Sequence, residues 1–251
     1  MSNFPDVLWL NVSPALKPLD CPLLSELAQV KAVACWEYQL GEDEPSSLEE
    51  ALVLLHDYLK LCPHPVHLVA HGTAGLVGLK YACCHPARVQ SLALLSVGAS
   101  PSIDWKAHYY TRLQALLCSR SFALSQMVRE LFGRQSPSTA ATLQSLLEKD
   151  LGQSLSLHSL YQVIGIPPTE CPVPLLVVGA RDDSIVPPHI LQEWLPWLKP
   201  SDRLWECPGG RYFFHHFYPQ LVRDELMPFW DGVDAGIRLL FPAEQLSPAP
   251  S

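Results

Sequence analysis

The stretch His67-Leu68-Val69-Ala70-His71-Gly72-Thr73-Ala74-Gly75 sets a short apolar run against a turn of small residues, after which the hydrophobic period changes. Residues 66–70 have the pattern of a buried parallel strand, and the segment from Gly72 to about Cys84 reads as a helix closed by His85-Pro86. A strand that passes through a glycine turn into a helix is half of a strand–helix–strand unit. The same unit recurs on both sides. Upstream, residues 7–10 and 31–36 are strands around an amphipathic stretch at 19–29. Ser46 and Ser47 then stand three residues before Glu49 and Glu50, a capping box opening a helix with Leu48, Leu52, Leu55 and Leu59 on one face. Downstream, residues 91–97 are the next strand.

From residue 101 to about 170 the alternation stops, and helical stretches follow one another at 105–117, 121–132, 137–151 and 155–163. Strand 174–179, a helix near 188–198, strand 203–206 and a last helix at 212–230 resume it. The pattern predicts an α/β protein with a mostly parallel, doubly wound sheet covered on both faces. The core is expected at 1–100 and 171–241, a helical cap insertion at 101–170, and a mobile Pro- and Ser-bearing tail at 242–251. Ligands of such sheets bind outside the carboxyl ends of the strands.

Composition narrows the function. Among 251 residues, 48% are hydrophobic and 17% charged, and the net charge is −8 with no basic run, which argues against a nucleic-acid partner. No segment approaches the roughly 18 uninterrupted apolar residues of a spanning helix, so a cytoplasmic protein is expected, with peripheral membrane contact left open. The eight cysteines (21, 35, 62, 83, 84, 118, 171 and 207) show no C-x-x-C pairing and read as reduced core thiols, with no metal site. The glycines at 72–78 match neither the phosphate-loop nor the dinucleotide pattern, so no cofactor is implied.

The turn at 67–75 resembles the nucleophile elbow of the α/β-hydrolase family, G-x-S-x-G between strand and helix, with Gly72 at the serine position. The helical insertion, the strand leading into Ala180-Arg181-Asp182, and Gly209-Gly210-Arg211-Tyr212-Phe213 agree in order and spacing, so the resemblance runs over about 5–230, an α/β-hydrolase fold shortened at the N-terminus. It implies Asp182 as the triad acid and Arg211 at the place of the histidine base; Leu10-Asn11-Val12-Ser13 replaces the family's His-Gly-type oxyanion turn. Gly72 has no atom that can attack, and Arg211 stays protonated. Arg211 is expected to form a guanidinium–carboxylate pair with Asp182.

Four residues are substitutes to weigh. Thr73 is a displaced nucleophile or a helix-start hydroxyl; His71 is a base or a packing residue; His215 and His216 are relocated bases or ordinary half-exposed helix residues. Asp183 reads as turn-forming, and Trp105, Tyr109, Tyr110 and Phe122 as core aromatics of the insertion or as the lining of a pocket or partner surface. The expected function is therefore a noncatalytic α/β-hydrolase homologue that binds a protein partner or a lipophilic small molecule, as a scaffold or assembly protein, through its cleft or cap. The rival is a divergent hydrolase or lyase using histidine and Asp182 without a serine.

Overall fold

The structure, a computed structural model, describes residues 4–39, 47–116 and 118–240, with Leu116 and 237–240 described by backbone alone. Six strands, β1 (Val7–Asn11), β2 (Val33–Glu37), β3 (Val66–His71), β4 (Val89–Leu95), β5 (Leu175–Ala180) and β6 (Arg203–Cys207), form one sheet. Its order is β2-β1-β3-β4-β5-β6, and every neighbouring pair is parallel. Strands β1 and β5 are buried at every position, and β5 is apolar throughout, because both faces of the sheet are covered.

One face carries α1 (Lys17–Ala28), α8 (Phe214–Phe217) and α9 (Pro219–Leu240), whose Leu23, Leu27, Phe214, Leu226 and Trp230 pack on Trp9, Val69 and Val178. The other carries α2 (Leu48–Leu59) and α3 (Thr73–Cys84). Ser47 caps α2, its hydroxyl accepting from Glu50 N at 3.1 Å. Ser46 lies outside the described residues. Helix α3 approaches the sheet closely because Gly78 faces it: an added Cβ there would meet Leu92 at 3.1 Å and Leu10 at 3.3 Å. The sequence order reverses between β1 and β3, so the carboxyl ends of these strands, Asn11 and His71, flank the topological switch point.

Three helices, α4 (Trp105–Leu116), α5 (Arg120–Phe132) and α6 (Pro137–Gln153), stand between β4 and β5. The helix expected at 155–163 does not form. There Ser159 Oγ accepts from the amides of Tyr161 and Gln162, and His158 Nδ1 accepts from Ile164 N, so side chains take the amides that a helix would use.

The helix expected at 188–198 is one α-turn, α7 (Pro188–Leu191), followed by a 3₁₀ segment through Trp197 that contains Pro196. The last helix is also divided. A 3₁₀ turn at Arg211–Phe213 leads into α8, and Tyr218 leaves the helical region before Pro219, which opens α9 at its tolerated first position. Phe241 and the tail at 242–251 lie outside the described residues.

Candidate functional site

Strand β3 ends at His71, and Gly72 turns the chain into α3 with φ +54° and ψ −127°, a conformation that glycine adopts without a Cβ penalty. The space beside it is taken. A Cβ at position 72 would fall well inside 3.0 Å of the Tyr212 hydroxyl, and the ring carbon Cζ of Tyr212 stands 3.3 Å from that point. Tyr212 is buried, and the backbone N–H of Trp105, at the start of α4, reaches its hydroxyl. Burial first, and then Asp104 and Asp183, raises the phenol well above its ordinary pKa, so it stays neutral.

The turn that carries Tyr212 ties the inserted helices to the sheet. Arg211 has φ +55°, and its backbone N–H donates to Asp182 Oδ1 at 2.8 Å. Its guanidinium points elsewhere, donating from Nη1 to the Glu130 carbonyl at 3.3 Å, with its stem along Gly133. The expected Arg211–Asp182 side-chain pair is thus absent: the left-handed backbone at 211 aims the amide at the exposed Asp182 and sends the side chain to the end of α5. Phe213 stacks on Phe132 of α5, with ring centroids 4.9 Å apart and 3° between planes.

Asp183 is the buried member of the acidic pair. It accepts from Ser96 Oγ at 2.9 Å and from the amides of Ile185 and Val186, fixing the turn after β5. Thr73 does not cap α3; its hydroxyl donates to Asp104, which in turn accepts from the amides of Lys106 and Ala107. Lys106 and Asp150, both fully buried, lie 3.3 Å apart between α4 and α6.

The histidines gather around Asp20 rather than Asp182. His215 is fully buried, contrary to the half-exposed reading, and its Nε2 shares a 3.0 Å hydrogen bond with Asp20 Oδ1 while Trp9 Nε1 donates to Oδ2 at 3.0 Å. His216 contacts the Leu19 carbonyl at 3.2 Å. His71 donates through Nε2 to the Tyr212 carbonyl at 2.8 Å, and its ring lies 4.5 Å from that of His215. Burial pushes the Asp20 carboxyl up to about 7, partly offset by His71. Burial likewise pulls His71 and His215 down to about 3, so both are neutral imidazoles.

Asn11, Ser13, Asp20, His71, Thr73 and Tyr212, together with apolar Leu10, Val12 and Leu16, line a small cavity of about 30 Å³ at the switch point. At ~10–15 Å³ per water position, that is room for about two waters. Two larger, mostly apolar hollows lie apart from it and share Ile103 and His108: one of about 400 Å³ along α4, and one of about 340 Å³ between the loop after β4 and the start of α7. Of the insertion aromatics, Trp105 and Tyr109 are buried and Phe122 is exposed.

Sequence reasoning missed Asn11, Asp20 and Tyr212 as site residues. Asp20 was visible in principle, as a carboxylate on the apolar face set by Leu23 and Leu27. The thiol reading needs correction too: Cys62, Cys171 and Cys207 are buried, but Cys21, Cys83 and Cys84 are exposed. Among the described residues, no cluster of three or more His, Cys, Asp or Glu could hold a metal ion, and no helix is long and apolar enough to cross a membrane.

No family model matches the chain. It is 44% identical over 230 residues to the uncharacterized protein alr2406 of Nostoc sp., covering 92% of each chain. It is 43% identical over 224 residues to the uncharacterized protein sll0249 of Synechocystis sp., covering 89% of each. Among solved structures, an enol-lactonase from Burkholderia xenovorans superposes with a TM-score of 0.65 at 17% identity, over 92% of each chain. This likeness establishes the α/β-hydrolase fold and, at that identity, nothing of the chemistry. The chain belongs to the family of these two cyanobacterial proteins, built on the α/β-hydrolase fold.

Proposed function

We propose that this chain is a noncatalytic member of the α/β-hydrolase fold, a binding or assembly protein in which residues 101–170 act as a cap. One observation carries the reading: the Tyr212 phenol fills the volume beside Gly72 in which a nucleophile's side chain would stand. Supporting it, residue 211 lends its amide and not a base to Asp182. The two mostly apolar hollows suit a lipophilic ligand or the apolar side chains of a protein partner. The test is turnover of activated esters with short and long acyl chains by the wild type and by Gly72→Ser/Arg211→His protein. Both are expected to match a denatured control, since in the variant Tyr212 still occupies the site. Wild-type turnover well above that control overturns the reading.

A second reading draws on Asp20, whose carboxyl near 7 beside His71 has the acid–base properties of a proton-transfer pair. It requires an activity whose pH profile bends near 7 and that Asp20→Asn abolishes. Loss of all turnover in His71→Gln protein would accompany it.

A further inference from the structure

Helix α9 runs past the amino ends of β4, β5 and β6, the end of the sheet opposite Gly72, and a groove of about 460 Å³ lies between them. Gln90, Pro174 and Arg203, at the starts of the three strands, form its sheet side, while Phe229 and Val233 of α9 face them. The helix is pinned over the groove by Asp234. Its Oδ1 accepts from Gln90 Nε2 and meets His67 Nε2 at 3.1 Å, and its Oδ2 lies 3.4 Å from Lys31 Nζ. Two glycines of α9 complete the lining. Gly232 and Gly236 stand one turn apart on the same face, and a Cβ built on either would meet no atom within 4 Å. Neither has a positive φ, and glycine inside a helix is less stable than alanine. What glycine does at these two places is leave the groove unfilled.

Charge gives the groove a polarity. Arg203 is exposed at its edge and pairs with no carboxylate among the described residues. The acids beside it in the chain are engaged elsewhere. Asp202 accepts from Leu175 N at 3.0 Å through Oδ1, and from Lys199 N and Nζ, each at 2.8 Å, through Oδ2. Asp234, next to Val233, is taken by His67, Gln90 and Lys31. A guanidinium with its donors unspent therefore borders a wall made of Pro174, Phe229 and Val233.

We propose that this groove binds a single-chain aliphatic carboxylate, its head on the Arg203 guanidinium and its chain along Phe229, Val233 and the glycine face of α9. A carboxylate matches the guanidinium fork with two parallel N–H···O bonds. In a chain of net charge −8, one unpaired cation favours a singly charged head over a doubly charged phosphate. The apolar wall supplies the remainder of the affinity by removing the alkyl chain from water. The site is separated from Gly72 and Asp182 by the length of the strands, and it does not depend on the noncatalytic reading.

The experiment is a titration of the full-length ¹⁵N-labelled chain with sodium octanoate, following the backbone amides of Arg203, Gly232, Val233 and Gly236. Sodium acetate serves as the head alone, octanol as the chain alone, and octyl phosphate as the doubly charged head. Expected are saturable shifts with octanoate, and affinities lower by about tenfold or more for acetate and octanol. Arg203→Gln should bring octanoate down to the affinity of octanol. Gly232→Leu/Gly236→Leu puts side chains into the groove and better helix formers into α9, so it should fold and weaken octanoate by about tenfold or more. No saturable shift up to about 10 mM octanoate overturns the proposal. So does octanol binding as tightly as octanoate, octyl phosphate binding more tightly, or octanoate affinity unchanged in both variants. Ester turnover, by contrast, would sink the noncatalytic reading and leave the octanoate shifts standing, so the two fail separately.

Discussion

Gly72→Ala places one methyl group at the most constrained point of the molecule. The backbone at φ +54° costs a residue with a Cβ about 1–3 kcal/mol. The methyl also falls well inside 3.0 Å of the Tyr212 hydroxyl, an overpacking that adds about 1–3 kcal/mol. The two contributions separate in a double-mutant cycle. Tyr212→Phe removes the oxygen and leaves Cζ 3.3 Å from the new methyl, a distance that a shift of a few tenths of an ångström relieves. Gly72→Ala should therefore cost about 2–6 kcal/mol in the wild type and about 1–3 kcal/mol in the Tyr212→Phe protein, a coupling of about 1–3 kcal/mol. Urea denaturation of the four proteins measures it. For a chain of this size, each kcal/mol also moves Tm by about 2–4 °C. Equal costs in the two backgrounds, within about 0.5 kcal/mol, would mean that the phenol does not fill that volume, and the case against a nucleophile's side chain at 72 would lose its main support.

Three further outcomes follow from buried charge and thiol exposure. Asp20, lifted to about 7, holds its proton more tightly in the folded than in the unfolded chain. Its contribution is therefore neutral below pH 4 and increasingly destabilising as pH rises through 7. The stability of wild type relative to Asp20→Asn should fall by up to about 4 kcal/mol between pH 4 and pH 8, and a pH-independent difference refutes the assignment. Lys106→Met strands the buried Asp150 and should cost about 3–5 kcal/mol in thermal or urea melts, most of it recovered in Lys106→Met/Asp150→Leu. A single variant within about 1 kcal/mol of wild type contradicts this. Iodoacetamide should label native Cys21, Cys83 and Cys84 first and spare Cys62, Cys171 and Cys207 until denaturant is added; in Cys171 burial raises the thiol to about 11. Early labelling of Cys207 would be inconsistent with the packing.

The sheet was legible because its strands announce themselves: runs such as Leu175-Leu176-Val177-Val178 are apolar at every position, which only a strand covered on both faces requires. Helices α2, α5 and α6 open on serine caps, α6 has Pro137 at its first position, and His85-Pro86 closes α3, signals that a sequence carries openly. The segment at 155–163 misled because its apolar spacing is helical while its serines and His158 capture the local amides, a competition that hydrophobic period does not register. Gly72 and Arg211 were singled out by order along the chain. What order could not give was direction: the φ of +55° at Arg211 reverses which group meets Asp182, and that sign is a property of the folded turn. The neighbouring Tyr212 was quoted as part of a motif, but nothing in one sequence says that its ring lies over a glycine 140 residues earlier.

Gly72, Arg211 and Tyr212 are mechanically linked. Glycine at 72 leaves the volume that Tyr212 fills; Tyr212 reaches it because the 3₁₀ turn at Arg211–Phe213 swings its ring inward; and that turn is held by Asp182 on the amide, Glu130 on the guanidinium and Phe132 on Phe213. Each partner therefore fixes the others, so a substitution at either position 72 or position 211 meets an obstacle. A serine at 72 meets the phenol, and a histidine at 211 loses the Glu130 contact while its backbone still points its amide at Asp182. The same linkage leaves Asn11, whose Nδ2 is buried with no partner among the described residues, and the start of α3 lining one small cavity. The turn at Arg211–Phe213 thus clasps the sheet, through Asp182, to the end of α5, through Glu130 and Phe132, and the binding role proposed above would act on surfaces that this clasp holds rigid.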